Sequence, residues 1–359
     1  MSERLVTTPA AVRGDVVLRR RRFLDAIDER LGLKALTYPV PEHANKLAYS
    51  LGGLSLVTFV LMVGTGIVLT QFYEPDPRLA HASVRRIMTS VDLGNFIRGV
   101  HFWGAMAMIV LVGLHLLRVF VSGSYKRPRE GTWVVGVVLA GITAAFFFTG
   151  TVLKWDQESL EALEHNIEIG KLLGRSGFWF SPSFGSIPLL TRLYVVHISL
   201  LPALFTLVVA AHLLLVKRHG LAPSPFRRGP EPEPTEPFSR HLARLGGFAL
   251  ILMAILTVLA VLVPPGQGPS PVEGIEVTKP LWPLLWVYPI ENWVGVVGIL
   301  WATLAIFVAL LLVPALDRGP ERAPSKRLAI IIPAAIIVAA ILALTVYAFF
   351  TPVASHIGM

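Results

Sequence analysis

Hydrophobic and polar positions along this chain alternate in long blocks rather than in short periods. Seven apolar runs, at about 48–73, 96–121, 132–153, 189–216, 242–263, 292–315 and 327–350, are separated by charged or proline-rich stretches. Each reaches the ~20 residues a helix needs to cross the hydrocarbon core of a bilayer. Ahead of them, over 18–33, Phe23, Leu24, Ile27 and Leu31 recur at helical spacing among charges. That pattern predicts an amphipathic helix lying on a membrane surface and favouring anionic headgroups. Residues 1–17 show no such pattern and read as disordered. The fold class that follows is an all-α membrane protein with seven spans and an N-terminal surface helix.

The loops orient the spans. Arg19 to Arg22 precede the first; Lys126, Arg127 and Arg129 follow the second. Lys217, Arg218, Arg227, Arg228 and Arg240 follow the fourth, and Arg318, Arg322, Lys326 and Arg327 follow the sixth. Basic loops stay in the cytoplasm, so the N-terminus is expected there, in a bacterial inner membrane. The loop between spans three and four is acidic instead, with Asp156, Glu158, Glu161, Glu164 and Glu168. The stretch 217–241 is rich in proline and charge and reads as an extended linker. It divides a four-span part, 18–216, from a three-span part, 242–359.

Composition agrees: 54% of residues are hydrophobic, only 15% are charged, and mean hydropathy is +0.64. The formal charge of +9 is mostly this topology rather than a nucleic-acid surface. The basic, polar N-terminus does not resemble a cleavable signal. With no cysteine, disulfides, iron–sulfur ligation and thioether-linked haem on this chain are excluded.

Ionisable residues inside spans are costly and usually functional. The second span holds His101 and His115, fourteen residues apart; the fourth holds His197 and His212, fifteen apart. Fourteen helical residues rise ~21 Å over nearly four turns, so both rings leave one face at two depths. Zinc would want three or four clustered donors, whereas two axial imidazoles and an apolar macrocycle suit a helical-bundle interior. The expectation is a four-helix dihaem bundle: His101 with His197 near the outer face, His115 with His212 near the cytoplasmic face. Gly52 and Gly66 on the first span, and Gly136 and Gly150 on the third, are again fourteen apart, leaving room for a porphyrin or for close helix packing. Arg98 and Arg118, one turn from His101 and His115, are candidates to neutralise haem propionates, or simply snorkel. A rival from another class is a proton-coupled transporter that uses these histidines without haem.

Several stretches carry a resemblance: ASVRRIM (82–88), FIRGVHFWGA, LHLLRV, GSYKRPREGTWVVG (123–136), TGTVLKWDQ (149–157), LLTRLYVVH (189–197), HLLLVKRHG (212–220) and LVPALDR (312–318). Together they resemble cytochrome b of the bc-type quinol-oxidising complexes, and more closely the b6f version, from the surface helix to about residue 318. The fifteen-residue spacing is similar to the b6f variant, and the linker falls where that type divides into two polypeptides. The resemblance implies two non-covalent b haems on the four histidines and a site for menaquinone or ubiquinone on each side. It also implies a Rieske-type iron–sulfur protein and a c-type cytochrome as partners, in a dimeric complex. On the cytoplasmic side Asp28, Lys217 and Arg218 are candidates to line a quinone pocket, although the basic pair also fits plain loop charge.

Three departures from the family pattern stand out. Where the family carries Pro-Glu-Trp-Tyr at its outer quinol site, this chain has Pro280, Leu281, Trp282 and Pro283. Leucine cannot accept a quinol proton; Glu291, Glu276 and Asp156 are carboxylates that could replace the lost one. Lys154 stands where the family usually has proline. Ser50 stands where b6f-type proteins attach an extra haem through cysteine, so no covalent haem is expected. Two mechanisms therefore stay open. One is the family's: quinol oxidised outside, with one electron leaving to the iron–sulfur partner and the other crossing the membrane. In the other, an extracytoplasmic partner exchanges electrons with the outer haem and quinone reacts only inside. No catalytic residue is assigned.

Overall fold

The computed structural model describes residues 25–30, 38–225 and 234–354. Residues 1–17 and most of the predicted surface helix lie outside that set; within it, 25–30 are helical and Asp28 is half-buried. Among the described residues seven helices are long and apolar enough to span a bilayer: α1 (Leu47–Thr70), α3 (Gly94–Val121), α4 (Glu130–Leu153), α6 (Leu189–His219), α7 (Phe238–Leu262), α9 (Val296–Leu316) and α10 (Leu328–Phe350). In lipid a helix satisfies its own backbone polar groups, which is why each apolar run closes into one. Helices α2 (Ala80–Thr89), α5 (Gln157–Leu172) and α8 (Val287–Val294) do not span.

Boundaries shift where backbone chemistry intervenes. The run read as 292–315 is broken at Gly295, whose φ of 75° separates α8 from α9. The left-handed region is open to glycine without a Cβ penalty. Asp156 starts α5 by accepting the Ser159 N–H at 3.2 Å, a side-chain cap. The stretch read as linker holds the end of α6 and a short strand, β4 (Thr235–Pro237), which pairs antiparallel with β1 (Pro39–Pro41). A second pair, β2 (Ser183–Phe184) with β3 (Ile187–Pro188), precedes α6.

The helices pack in two neighbouring pairs, α1 along α3 and α4 along α6, with α7 covering α1 and α3 and α9 covering α4. Midway along, Phe59 of α1 meets Phe205 of α6 at 4.2 Å between ring centroids and Phe146 of α4 at 6.2 Å. With Met108, Ile142 and Leu201 they form a dry waist. One end of the bundle carries α2, α5, the loop 263–286 and α8.

At the other end an ionic clamp ties the α3–α4 loop to the chain between α9 and α10. Asp317 accepts from Lys126 Nζ at 2.7 Å, Tyr125 Oη at 2.6 Å and Arg327 Nε at 2.7 Å. Arg327 also donates to the Phe120 and Val121 carbonyls. Two of the quoted motifs, GSYKRPREGTWVVG and LVPALDR, thus meet in one buried network.

Candidate functional site: two histidine levels and a cavity

α3 and α6 face each other across the bundle, and their histidines fall at two levels on either side of the aromatic waist. His101 and His197 share a level at the α5 end and lie within electrostatic reach of each other, as do His115 and His212 at the other end. The unequal spacings are reconciled by one wide turn in α6, at Val196–Leu200. Such a turn holds one extra residue, so fifteen residues of α6 complete the rotation that fourteen complete on α3. Pro202, just beyond, supplies no N–H to the ladder, which favours the irregularity.

Every one of the four rings lies against one of the spaced glycines. A Cβ on Gly52 would stand 2.9 Å from His115 Cε1, and one on Gly66 would stand 3.4 Å from His101. On Gly136 it would stand 3.3 Å from His212, and on Gly150 3.2 Å from His197. The room these glycines make is therefore room for the imidazoles themselves. At the first level the ring orientation is also fixed chemically. Thr65 Oγ1 donates to the Leu61 carbonyl at 2.8 Å, so it can only accept from His101 Nδ1 at 2.9 Å. Thr149 repeats the arrangement, donating to Ala145 and accepting from His197 Nδ1 at 2.7 Å. Protonation at Nδ1 leaves Nε2 with its lone pair, the tautomer a metal ligand needs. At the second level His115 Nδ1 and His212 Nδ1, the latter facing the Thr132 backbone, are buried without a hydrogen-bond partner among the described residues.

A cavity of about 430 Å³ opens at the first level, lined by His101, His197, Gly66, Gly150 and largely apolar side chains. Paired imidazoles with free Nε2 atoms around an apolar slot are the donor set and shape for iron carried in a flat macrocycle. Arg98 also lines this cavity, and its guanidinium donates to the neutral carbonyls of Pro265 and Gly266. Arg118, at the other level, donates to the Ala48 carbonyl at 3.2 Å and stacks on Tyr49. Both arginines thus keep charge to offer an anionic group. Of the 280–283 stretch, Leu281 reaches the cavity wall, while Trp282 is half exposed; Pro280 precedes them in the same loop. Lys217 and Arg218 are exposed in the last turn of α6.

The replacement carboxylates fall in different places. Asp156 is taken up structurally: it accepts from Gly268 N–H at 2.9 Å and Ser159 Oγ at 2.8 Å and pairs with Lys154. Burial pushes its carboxyl up, but Lys154 and these hydrogen bonds outweigh that and hold it below the usual range. Glu276 and Glu291 converge on His165 of α5, whose Nε2 lies 3.5 Å from Glu276 and 2.5 Å from Glu291. Its Nδ1 bonds to the Glu161 carbonyl. Burial opposes the imidazolium, yet Glu291 foremost, then the Glu161 carbonyl and Glu276, raise its pKa to about 9. The cluster ties the 263–286 loop and α8 to α5.

Because the folded value of His165 lies above the ordinary 6.5, the stabilisation is complete below pH ~6.5 and fades as pH rises through about 9. Hydrogen exchange across 276–291 is expected to quicken severalfold, beyond the intrinsic rise, between pH 7 and 9.5. His165→Gln should show the fast rate at both pH values; a wild-type segment equally protected at both would refute the clamp.

The family model described as cytochrome b/b6/petB matches residues 35–220. The menaquinol:cytochrome c reductase cytochrome b subunits of Geobacillus thermodenitrificans and Bacillus subtilis are each 34% identical to this chain over 218 residues. Those matches span 56% of this chain and 97% of each relative. A solved chain of a hyperthermophilic respiratory Complex III superposes with a TM-score of 0.79 at 23% identity, covering 92% of both chains. That likeness establishes a shared fold.

Proposed function

Because this chain belongs to the cytochrome b/b6 family, we propose that it is the dihaem, quinone-reactive subunit of a membrane complex of the menaquinol:cytochrome c reductase type. The observation that carries the reading is the pairing of imidazoles at two levels, each ring seated on a glycine of the neighbouring helix. His101 and His197 hold the outer haem, and His115 and His212 the inner one. When bound, the two irons supply one-electron couples at two depths of the bilayer. Thr65 and Thr149 fix the outer ligands, while Arg98 and Arg118 meet propionates. Residues 18–216 form the haem-carrying part and 242–359 the part that flanks it, with the N-terminus in the cytoplasm of a bacterial cell. The partners are a Rieske-type iron–sulfur protein and a c-type cytochrome, in a dimeric assembly. Menaquinol is the substrate class, by likeness to the relatives' named activity.

Quinol is oxidised at the outer end, where the cavity holding His101 and His197 runs out to Leu281 and Lys154. Quinone is reduced at the cytoplasmic end, near Asp28, Lys217 and Arg218. The second reading, quinone chemistry at the inner site alone, is favoured by one observation: Pro280 to Pro283 offer no proton acceptor. Mixing the complex with quinol and a pulse of oxidant separates the two. Extra reduction of b-type haem, abolished by an outer-site inhibitor, is expected; a haem that simply equilibrates with a soluble cytochrome would favour the second reading.

The threonines give a narrower check. Thr149→Val removes the acceptor for His197 Nδ1–H, making the ligand less electron-rich. One b-type midpoint potential should rise while the other stays, and haem retention should fall by ~10-fold. Unchanged potentials in a redox titration would show that Thr149 does not orient a ligand.

A further inference from the structure

The 280–283 loop brings no carboxylate to the cavity, but the α4–α5 junction brings to the same wall a lysine that carries an ion pair behind it. Lys154 lines the cavity beside Leu281. Its ammonium bonds to Glu158 Oε2 across the α4–α5 turn and lies 3.2 Å from Asp156. The other oxygen of Glu158, Oε1, accepts the backbone N–H of Leu281 at 3.1 Å. Glu158 therefore grips two neighbouring pieces of cavity wall, one with each carboxylate oxygen. The Lys154 and Glu158 side chains are 14% and 16% exposed, so the pair is shielded but not sealed.

The surroundings differ from those of Asp156. Burial raises the Glu158 carboxyl above the usual range; Lys154 and the Leu281 amide offset this in part, and Asp156 adds to it. The charged groups facing Glu158 are Lys154 from α4 and Asp156 from the α4–α5 turn, with Arg98 of α3 acting on Asp156 from the far side. The 263–286 loop meets it through a backbone amide. A shielded carboxylate that can take up and release a proton is what a base for a phenolic proton requires.

We propose that Lys154 and Glu158 form the proton-accepting pair for quinol in this cavity, in place of the missing glutamate at Leu281. The proposal rests on the reading that quinol is oxidised at the outer end. The Lys154 ammonium first hands a proton to Glu158 Oε2, and the neutral amine so formed turns its lone pair to the quinol hydroxyl and takes that proton. One O–H and one N–H bond break, and one N–H and one carboxyl O–H form. Lys154 ends as the ammonium it was, and Glu158 ends neutral until it discharges to outer water. The second proton follows the same route. The two electrons leave singly to two one-electron acceptors, an iron–sulfur protein at the outer surface and the outer haem iron, so that quinol becomes quinone.

The test uses the full chain in its complex. Glu158→Gln keeps an oxygen for the Leu281 amide but removes the base; Lys154→Met removes the bridge at similar length. Both variants should retain two b-type centres and bind a quinone analogue within about threefold of wild type. Quinol-driven, oxidant-induced reduction of haem should slow by ~10²-fold, and the acid limb of its pH profile should disappear in Glu158→Gln, with partial recovery in Glu158→Asp. In the infrared difference spectrum on quinone reduction, a protonated-carboxyl band should be present in wild type and absent from Glu158→Gln. Wild-type rates and pH profiles in both variants, or a band that persists without Glu158, would overturn the pair while leaving outer quinol oxidation standing. A wild-type complex with both haems but no oxidant-induced reduction would overturn the outer-site reading and this inference with it.

Discussion

Replacing His115 with leucine is expected to remove one b-type centre outright, about half of the b-band absorbance, and to leave the other centre spectrally intact. The reason is local. The ring of His115 sits 2.9 Å from where a Gly52 side chain would begin, so the helices are shaped around an imidazole, and leucine fills that space without supplying a ligand. The other level lies beyond the Phe59, Phe146 and Phe205 waist, with its own rings and its own threonines. Loss at one level should therefore not propagate. Optical spectra of the membrane-inserted variant at full reduction decide the matter. Retention of both centres would show that His115 is not a ligand.

The second large effect is structural. Asp317→Ala should destabilise the chain by ~3–5 kcal/mol, because it strands two cations that are almost wholly buried. The Lys126 side chain is 5% exposed and that of Arg327 1%, and Asp317 is the carboxylate that binds both. Thermal unfolding in detergent would register the loss, with proteolysis between α9 and α10 as a local readout. A combined Asp317→Leu, Lys126→Met, Arg327→Met variant should recover much of it, since the penalty comes from unpaired charge. A single variant within about 1 kcal/mol of wild type would mean that the clamp carries no net weight.

Much of this architecture was legible from sequence because lipid leaves few choices. An apolar run of sufficient length becomes a helix wherever it falls, so the seven spans follow from hydropathy with errors of a few residues at their ends. The non-spanning helices α2 and α5 were not legible in the same way. They are short and charged, and their apolar faces become visible only once Ala80, Val84, Leu160 and Leu163 are seen buried together with the bundle. The fifteen-residue interval between His197 and His212 pointed to a family variant without giving its cause. In a helix apolar all round, nothing in the pattern marks the phase slip at Val196–Leu200, and Pro202 is the single local hint.

Within the site, the histidines and glycines could be read from spacing alone, yet the glycines turn out to make way for the rings. Thr65 and Thr149 were overlooked although a signal existed: each immediately precedes its glycine, as the dipeptides Thr65-Gly66 and Thr149-Gly150. Lys154 and Glu158 lie close in sequence with opposite charge, but they meet across the break between α4 and α5 rather than on one helix face. What sequence could not give was their approach to Leu281, more than a hundred positions away. The same applies to His165, Glu276 and Glu291, whose meeting depends on how the 263–286 loop folds back over α5.

Two porphyrin irons held by one chain are the central expectation, and the most direct measurement of them is the haem content of the purified protein. Two haems per chain are predicted, both extractable into acidified organic solvent because no cysteine can tether them, and both absorbing as bis-imidazole b-type centres. One haem per chain, none, or a fraction left covalently attached after extraction would contradict it.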